Sequence, residues 1–128
     1  MTKILIIDDD LEVVDNLSVL LKGVGYNVSS RDNIEGATQE IIKDKPDLII
    51  LDIMFPENPA GGFELAREIR QTEGLKQIPI ILLTSINQEF PMDFSSKDID
   101  QDWIPVEAFL EKPIKLSKLL EKIKQLLK

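Results

Sequence analysis

Three consecutive aspartates, Asp8, Asp9 and Asp10, follow directly on the apolar run at residues 4–7. Crowded carboxylates raise one another's proton affinity, or need a cation, when they are partly withdrawn from water. A divalent metal ion is one such cation. A helix N-cap is the alternative, because an aspartate there accepts hydrogen bonds from the first backbone amides of the helix. We assign Asp10 to the cap and leave both interpretations open for Asp8 and Asp9.

Polar side chains also end three other apolar runs. Asp52 lies between Leu51 and Ile53, Thr84 follows the run at residues 78–83, and Lys112 follows the run at residues 106–110. An unpaired buried carboxylate is strongly unfavourable, so a functional role is favoured for Asp52. Taken singly, Thr84 could simply open a loop and Lys112 could be a surface charge. Their shared position at strand ends favours one common site.

The composition excludes several kinds of chemistry. The chain has no cysteine and no histidine, so Cys/His zinc sites, disulfides, thiol nucleophiles and Ser-His-Asp triads are ruled out. A formal net charge of −8 argues against direct nucleic-acid binding. With 128 residues we expect a single domain over residues 1–128. No apolar run approaches membrane-spanning length and no leader pattern is present, so we expect a cytoplasmic protein without membrane contact.

The apolar runs predict five strands. They cover residues 4–7, 26–29, 48–53, 78–83 and 106–110, and the second is the weakest. The strong runs are continuous rather than alternating, which is typical of strands buried on both faces of a parallel sheet. Helices should therefore cover both faces.

Apolar residues at helical spacing lie between most of these runs. We expect a first helix ended by Gly23 and Gly25, and a second capped by Asp32 or Asn33. A third is ended by Gly74, and an amphipathic helix covers residues 116–127. The segment 87–104 lacks such a stripe. We expect an ordered loop with one short helix there, so that the helix normally placed fourth is shortened or replaced.

Alternating strands and helices with right-handed crossovers predict an α/β fold, a doubly wound five-stranded parallel sheet in the order 2-1-3-4-5. The carboxyl ends of strands one and three are then neighbours at the switch point, where such sheets bind ligands. Three carboxylates, a hydroxyl and a lysine converge on that edge. This set of groups is typical of a magnesium site at which a phosphate replaces metal-bound water.

Five segments resemble the phosphoacceptor receiver domain of two-component response regulators. They lie at residues 4–10, 46–54, 62–65, 79–85 and 110–114, in the family's order and over nearly the whole chain. The resemblance implies that Asp52 accepts a phosphoryl group from a histidine kinase or a histidine phosphotransfer protein. It further implies that Asp8, Asp9, Asp52 and the backbone carbonyl of Met54 hold Mg²⁺.

The same resemblance implies a phosphoacceptor that assists its own phosphorylation and dephosphorylation and is not an enzyme in the usual sense. Lys112 contacts the phosphoryl group and precedes a cis peptide to Pro113. Thr84 is the switch hydroxyl, and Phe109 occupies the position of the aromatic that follows its motion. Phenylalanine has no hydroxyl, so an output that depends on a tyrosine hydroxyl is not expected. An output domain or effector protein is the expected downstream partner.

The chain departs from the family pattern in two connections, which are longer than usual: residues 53–61 and the stretch between Thr84 and Lys112. The second departure remodels the face on which many receivers dimerise. We therefore expect an unusual partner and no common symmetric dimer through that face.

Three other functions match parts of this residue pattern. A flavodoxin-like carrier needs a hydroxyl- and glycine-rich phosphate loop after the first strand, where this chain has aspartates. A haloacid-dehalogenase-like phosphatase needs a second aspartate two residues after its nucleophile. After Asp52 that position is Met54, and after Asp8 it is Asp10, but no fitting cap segment follows downstream. A receiver-like binding module that cannot be phosphorylated is the remaining alternative. It is the less favoured one, because every acidic, hydroxyl and lysine position of the pattern is filled.

Overall fold

The computed structural model describes residues 2–53, 55, 61–84, 106–112 and 114–127. Strands and helices alternate along most of the chain. The strands are β1 (Lys3–Ile7), β2 (Asn27–Arg31), β3 (Leu48–Asp52), β4 (Ile80–Thr84) and β5 (Ala108–Glu111). The helices are α1 (Leu11–Gly23), α2 (Ala37–Asp44), α3 (Gly61–Gln71) and α4 (Leu116–Leu126).

The five strands form one parallel sheet in the order β2-β1-β3-β4-β5. The predicted fold class and strand order are therefore confirmed. All five residues of β3 are buried, as expected for a central strand covered on both faces. The predicted loop and short helix at residues 87–104 lie outside the described residues.

Two apolar cores pack on opposite faces of the sheet because successive side chains of a strand point to opposite sides. In β1, Leu5 and Ile7 belong to one core, and Ile4 and Ile6 belong to the other. The first core includes buried residues of α2 and α3, and the second includes buried residues of α1 and α4. The cores thus fix the sheet between two layers of helices and hold its carboxyl edge in place.

Helix α1 begins directly after the acidic triplet. Asp10 is its N-cap, and the Asp10 carboxylate accepts hydrogen bonds from the amides of Glu12 and Val13. The predicted capping role of Asp10 is confirmed. The helix ends at Gly23, and Gly25 adopts a φ of 100° in the turn that leads to β2.

The start of α2 differs from the prediction. Neither Asp32 nor Asn33 caps this helix, because it begins at Ala37 behind Gly36, which has a φ of 70°. The amide of Ala37 donates to the carbonyl of Ile34, so a tight turn separates β2 from the helix. None of the helices in the described part of the chain is long and apolar enough to cross a membrane.

Candidate functional site

The register of the sheet brings two of the predicted aspartates together. Ile7 of β1 pairs with Leu51 of β3, so the next residues, Asp8 and Asp52, lie side by side where the two strands end. Asp8 is completely buried and Asp52 is 7% exposed. These are the only charged residues buried among those that the structure describes. Two nearly inaccessible carboxylates at neighbouring strand ends indicate a built site rather than a solvated surface.

Asp9 completes an acidic cluster at this edge. One carboxylate oxygen from each of Asp8, Asp9 and Asp52 lies within 4.8 Å of the others. Asp9 is exposed, whereas its two partners are buried, so the cluster opens to solvent on the Asp9 side. A hard cation entering from solvent would therefore meet three oxygen ligands, which are the ligands that Mg²⁺ prefers.

Lys112 reaches the same cluster from the end of β5. Its Nζ lies 3.0 Å from Oδ2 of Asp8 and 3.4 Å from Oδ1 of Asp52. The Lys112 side chain is 21% exposed, so its ion pairs are largely shielded from water. The single cation of Lys112 is thus shared between two buried carboxylates.

The buried Asp8 carboxylate fits a metal ligand. Its Oδ1 accepts a hydrogen bond of 2.9 Å from the Asp10 amide, which fixes the orientation of the carboxylate. Its Oδ2 is buried and, apart from the ion pair with Lys112, has no hydrogen-bond donor in the described part of the chain. A buried acceptor of this kind is unfavourable unless a cation or another donor approaches it.

The Asp52 carboxylate has two unequal oxygens. Oδ1 accepts a hydrogen bond of 3.0 Å from the amide of Ile53 and lies next to Lys112. The described contacts of this carboxylate with Ile53 and Lys112 thus both fall on Oδ1, which they hold in place.

The pKa values of this cluster reflect the crowding of the carboxylates. Burial is the main factor that raises the pKa of Asp52 from 3.8 to about 7, and the Asp8 charge adds to it. The contact with Lys112 opposes both effects. Burial alone would lower the pKa of Lys112, but the neighbouring Asp52 and Asp8 charges outweigh it and raise the pKa above its usual value. The cluster therefore has an excess of negative charge that one lysine does not neutralise.

The other predicted site residues are described only in part. The backbone of Phe109 pairs with Leu82 in the sheet, as predicted. Thr84, predicted to follow the fourth strand, is instead the last residue of β4 and pairs with Glu111. The side chains of Thr84 and Phe109 fall outside the described part of the structure, as do Met54 and Pro113. The predicted switch, the carbonyl ligand and the cis peptide stay predictions.

A largely apolar groove runs between α1 and α4 beside the cluster. It has a volume of about 840 Å³, and Lys112 lies in its wall. The apolar lining residues include Val13, Leu17, Leu20 and Ile114. A surface that could contact another protein therefore begins next to the acidic cluster.

Two contacts at this edge could not be read from the sequence. The amide of Ile53 holds Oδ1 of Asp52, and Lys112 is bound to Asp8 as well as to Asp52. The first is a backbone contact, which no residue type reveals. The second depends on how far the Lys112 side chain reaches across β4, which strand order alone does not give.

Comparison with known proteins identifies the family. The model of the response regulator receiver domain matches residues 4–124. The phosphate regulon transcriptional regulatory protein PhoB of Pseudomonas aeruginosa is 32% identical over 125 residues, which are 98% of this chain and 51% of PhoB. The chain therefore belongs to the receiver domains of two-component response regulators. It spans about half the length of the curated relative PhoB.

Solved structures of a second relative agree with this assignment. The response regulator TrrA of Thermotoga maritima, in complex with Mg²⁺ and BeF, has a TM-score of 0.79 and is 31% identical; the match covers 99% of this chain and 100% of TrrA. TrrA in complex with the histidine kinase ThkA has a TM-score of 0.78 at 31% identity, and the match covers 100% of both chains. The fold of this chain is thus similar to that of TrrA.

Proposed function

We propose that this chain accepts a phosphoryl group on Asp52 in a Mg²⁺-dependent reaction and changes conformation in response. The observation that carries the proposal is the Asp52 carboxylate at the end of the central strand. Asp8 and Asp9 lie within 4.8 Å of it, and Lys112 lies 3.4 Å away. The family assignment supports the same function.

Asp52 suits the role of nucleophile better than its two acidic neighbours. Asp8 is completely buried, with Oδ1 held by the Asp10 amide and Oδ2 facing Lys112, so a phosphoryl donor has less access to it than to Asp52. Asp9 is exposed and has no lysine contact in the described part of the chain. The contacts of Asp52 with the Ile53 amide and with Lys112 both fall on Oδ1, so Oδ2 is the oxygen that we propose bonds to phosphorus.

In the proposed reaction Oδ2 of Asp52 attacks the phosphorus of the donor in line with the bond that breaks. The new bond joins Oδ2 to phosphorus, and the bonding electrons leave with the donor group. Lys112 is placed to neutralise phosphoryl oxygens as the charge shifts during transfer. Asp8, Asp9 and Asp52 would hold Mg²⁺, which when bound supplies further neutralisation of these oxygens. The carbonyl of Met54 is the proposed fourth protein ligand.

The signal would pass through Thr84 and Phe109. A hydroxyl at the end of β4 that bonds to the new phosphoryl oxygens would draw its loop toward Asp52 and shift a two-state equilibrium. Phe109 of β5 lies opposite Leu82, two positions from Thr84 in the neighbouring strand. Motion of Thr84 at the end of β4 could therefore be passed to Phe109 in β5.

The proposed donor is a histidine kinase or a histidine phosphotransfer protein, in keeping with the receiver family to which the chain belongs. TrrA in complex with the kinase ThkA supports such a partner. The groove between α1 and α4 opens beside Lys112 and is a suitable docking surface for it. The proposed downstream partner is an output domain or effector protein. We further propose that residues 1–128 form a single domain, which acts in the cytoplasm without direct contact to nucleic acid or membrane.

The main alternative is a receiver that binds partners without being phosphorylated. Labelling with acetyl phosphate and Mg²⁺, followed by intact-mass measurement, distinguishes the two functions. We expect the wild type to gain one phosphoryl group and Asp52→Asn to gain none. Asp15→Asn, which removes an exposed carboxylate from α1, is the matched control and should be labelled like the wild type. Equal labelling of Asp52→Asn would show that Asp52 is not the nucleophile, and an unlabelled wild type would favour the binding module.

A further inference from the structure

Helix α3 begins with two glycines, Gly61 and Gly62, and both are buried. Glycine is a poor residue for a helix, because it loses more conformational freedom on folding than alanine. A buried glycine in a helix is therefore expected only where a side chain cannot fit. Gly62 lies against the backbone of the strand end that carries Asp52.

The space around Gly62 is closed by backbone atoms. A Cβ on Gly62 would lie 2.1 Å from the carbonyl oxygen of Asp52, 2.5 Å from Cα of Ile53 and 2.9 Å from the carbonyl carbon of Asp52. Backbone atoms of a paired strand cannot turn aside as the end of a flexible side chain can. Any side chain at position 62 must therefore displace either the peptide between Asp52 and Ile53 or the start of α3 that packs against it.

This requirement comes from space and not from the backbone conformation of Gly62. Its φ lies outside the left-handed region, which the described glycines enter only at Gly25, Gly36 and Gly74. A side chain could therefore be accommodated if the strand end were further away. Gly23, at the end of α1, differs from Gly62 because a Cβ at this position would have open space around it.

The same peptide positions the reactive carboxylate. The amide of Ile53 donates to Oδ1 of Asp52 at 3.0 Å and to the carbonyl of Leu83 at 3.2 Å. The carbonyl of Ile53, which belongs to the next peptide unit, accepts a hydrogen bond of 2.8 Å from the amide of Gly62. The strand end is thus held by β4 on one side and by α3 on the other, with Oδ1 of Asp52 3.4 Å from Nζ of Lys112.

We propose that Gly62 is a positioning residue for phosphoryl transfer: its missing side chain lets α3 close against the Asp52–Ile53 peptide and so fixes the Asp52 carboxylate beside Lys112. This inference rests on the proposed function, because it concerns the same nucleophile. Gly62 has no side chain with which to bind the phosphoryl donor or the metal. It acts through the backbone to which Asp52 belongs.

The test compares wild type, Gly62→Ala and Gly23→Ala at saturating Mg²⁺ and acetyl phosphate, well below their melting temperatures. Displacement of a reacting group by about 1 Å can cost about a hundredfold in rate, and we expect a loss of about that size in Gly62→Ala. The Mg²⁺ concentration that gives half-maximal labelling should rise together with the loss of rate, because the displaced Asp52 carboxylate is also a proposed ligand of the metal. A purely structural role would lower the melting temperature but leave the rate of the folded fraction unchanged. Gly23→Ala should match the wild type in both rate and Mg²⁺ dependence.

A rate for Gly62→Ala within about twofold of wild type would overturn the inference. If Gly62→Ala does not fold, amide hydrogen exchange of the wild type tests whether the contact between the strand end and α3 is rigid. The inference expects the amides of Ile53 and Gly62 to exchange within about tenfold of Ile50 in the core of β3, and exchange that is a hundredfold faster would overturn it. If the wild type is not labelled, both the proposed function and this inference are refuted. If the wild type is labelled and Gly62→Ala is labelled at the same rate, only the inference is refuted.

Discussion

The buried Asp52 carboxylate should destabilise the metal-free protein, and its removal should therefore stabilise the fold. Burial and the Asp8 charge raise the pKa of Asp52 from 3.8 to about 7. The folded state then binds a proton more tightly than the unfolded state, so ionisation of Asp52 lowers stability as pH rises. The difference between the two pKa values corresponds to about 4 kcal/mol above pH 7.

The variant Asp52→Asn replaces the carboxylate by a neutral group of nearly the same shape. At pH 8.5 and without Mg²⁺ we expect its free energy of unfolding to exceed that of the wild type by up to about 4 kcal/mol. Between pH 7 and pH 4 this advantage should shrink by about 1.4 kcal/mol per pH unit, because the wild type regains its proton there.

Urea denaturation in the presence of a chelator, repeated across this pH range, measures the effect. Asp15→Asn, with an exposed carboxylate, is the control and should change stability by less than about 0.5 kcal/mol at every pH. Saturating Mg²⁺ should stabilise the wild type more than Asp52→Asn, because only the wild type retains all three carboxylates. A difference between Asp52→Asn and wild type that is independent of pH, or a less stable Asp52→Asn at pH 8.5, would refute the proposed electrostatic origin.

Three further substitutions separate the roles within and around the site. Lys112→Met should slow phosphoryl acceptance by about a hundredfold at saturating Mg²⁺, because one preorganised positive charge is lost; the labelling rate measures this. Asp10→Ala should cost about 1 kcal/mol of stability in urea through loss of the α1 cap, with the labelling rate unchanged, because Asp8 uses only the Asp10 amide. Ile50→Ala, in a fully buried part of β3, should cost about 2–5 kcal/mol in the same urea assay.

Each substitution has a matched control in the chain. Lys118→Met changes an exposed lysine of α4 and should leave the labelling rate unchanged. Asp10→Ser keeps a capping side chain and should recover most of the stability lost in Asp10→Ala. Val19→Ala, at a position that is 74% exposed, should change stability by less than about 0.5 kcal/mol. If Asp10→Ala is labelled more slowly than the wild type, the Asp10 side chain takes part in the reaction. If Lys112→Met is labelled as fast as the wild type, the proposed charge neutralisation by Lys112 is contradicted.

The strand order and the convergence of the site could be predicted because both depend on residue pattern. Continuous apolar runs indicate central parallel strands, and the end of each run marks the same edge of the sheet. Asp8, Asp52 and Lys112 terminate three such runs, so their proximity follows from the topology. The cap role of Asp10 also follows, because a short acceptor directly before a helix finds free amides.

Other features depend on backbone geometry that residue types do not reveal. A turn after β2 moves the start of α2 to Ala37, so the predicted caps Asp32 and Asn33 lie too early in the chain. The close approach of Gly62 to Asp52 requires the packing angle of α3, which local propensity does not determine. The bond from the Ile53 amide to the Asp52 carboxylate has no signature in the sequence.

Chemical mapping of the modified residue is the most direct test of phosphoryl acceptance by Asp52. The wild type is incubated with acetyl phosphate and Mg²⁺, reduced with borohydride and digested for mass spectrometry. Reduction of an acyl phosphate on aspartate gives homoserine, which identifies the modified position in the peptide. We expect homoserine at position 52 and none when Mg²⁺ is removed by a chelator. Homoserine at position 8 or 9 with an unmodified Asp52 would contradict the proposed function.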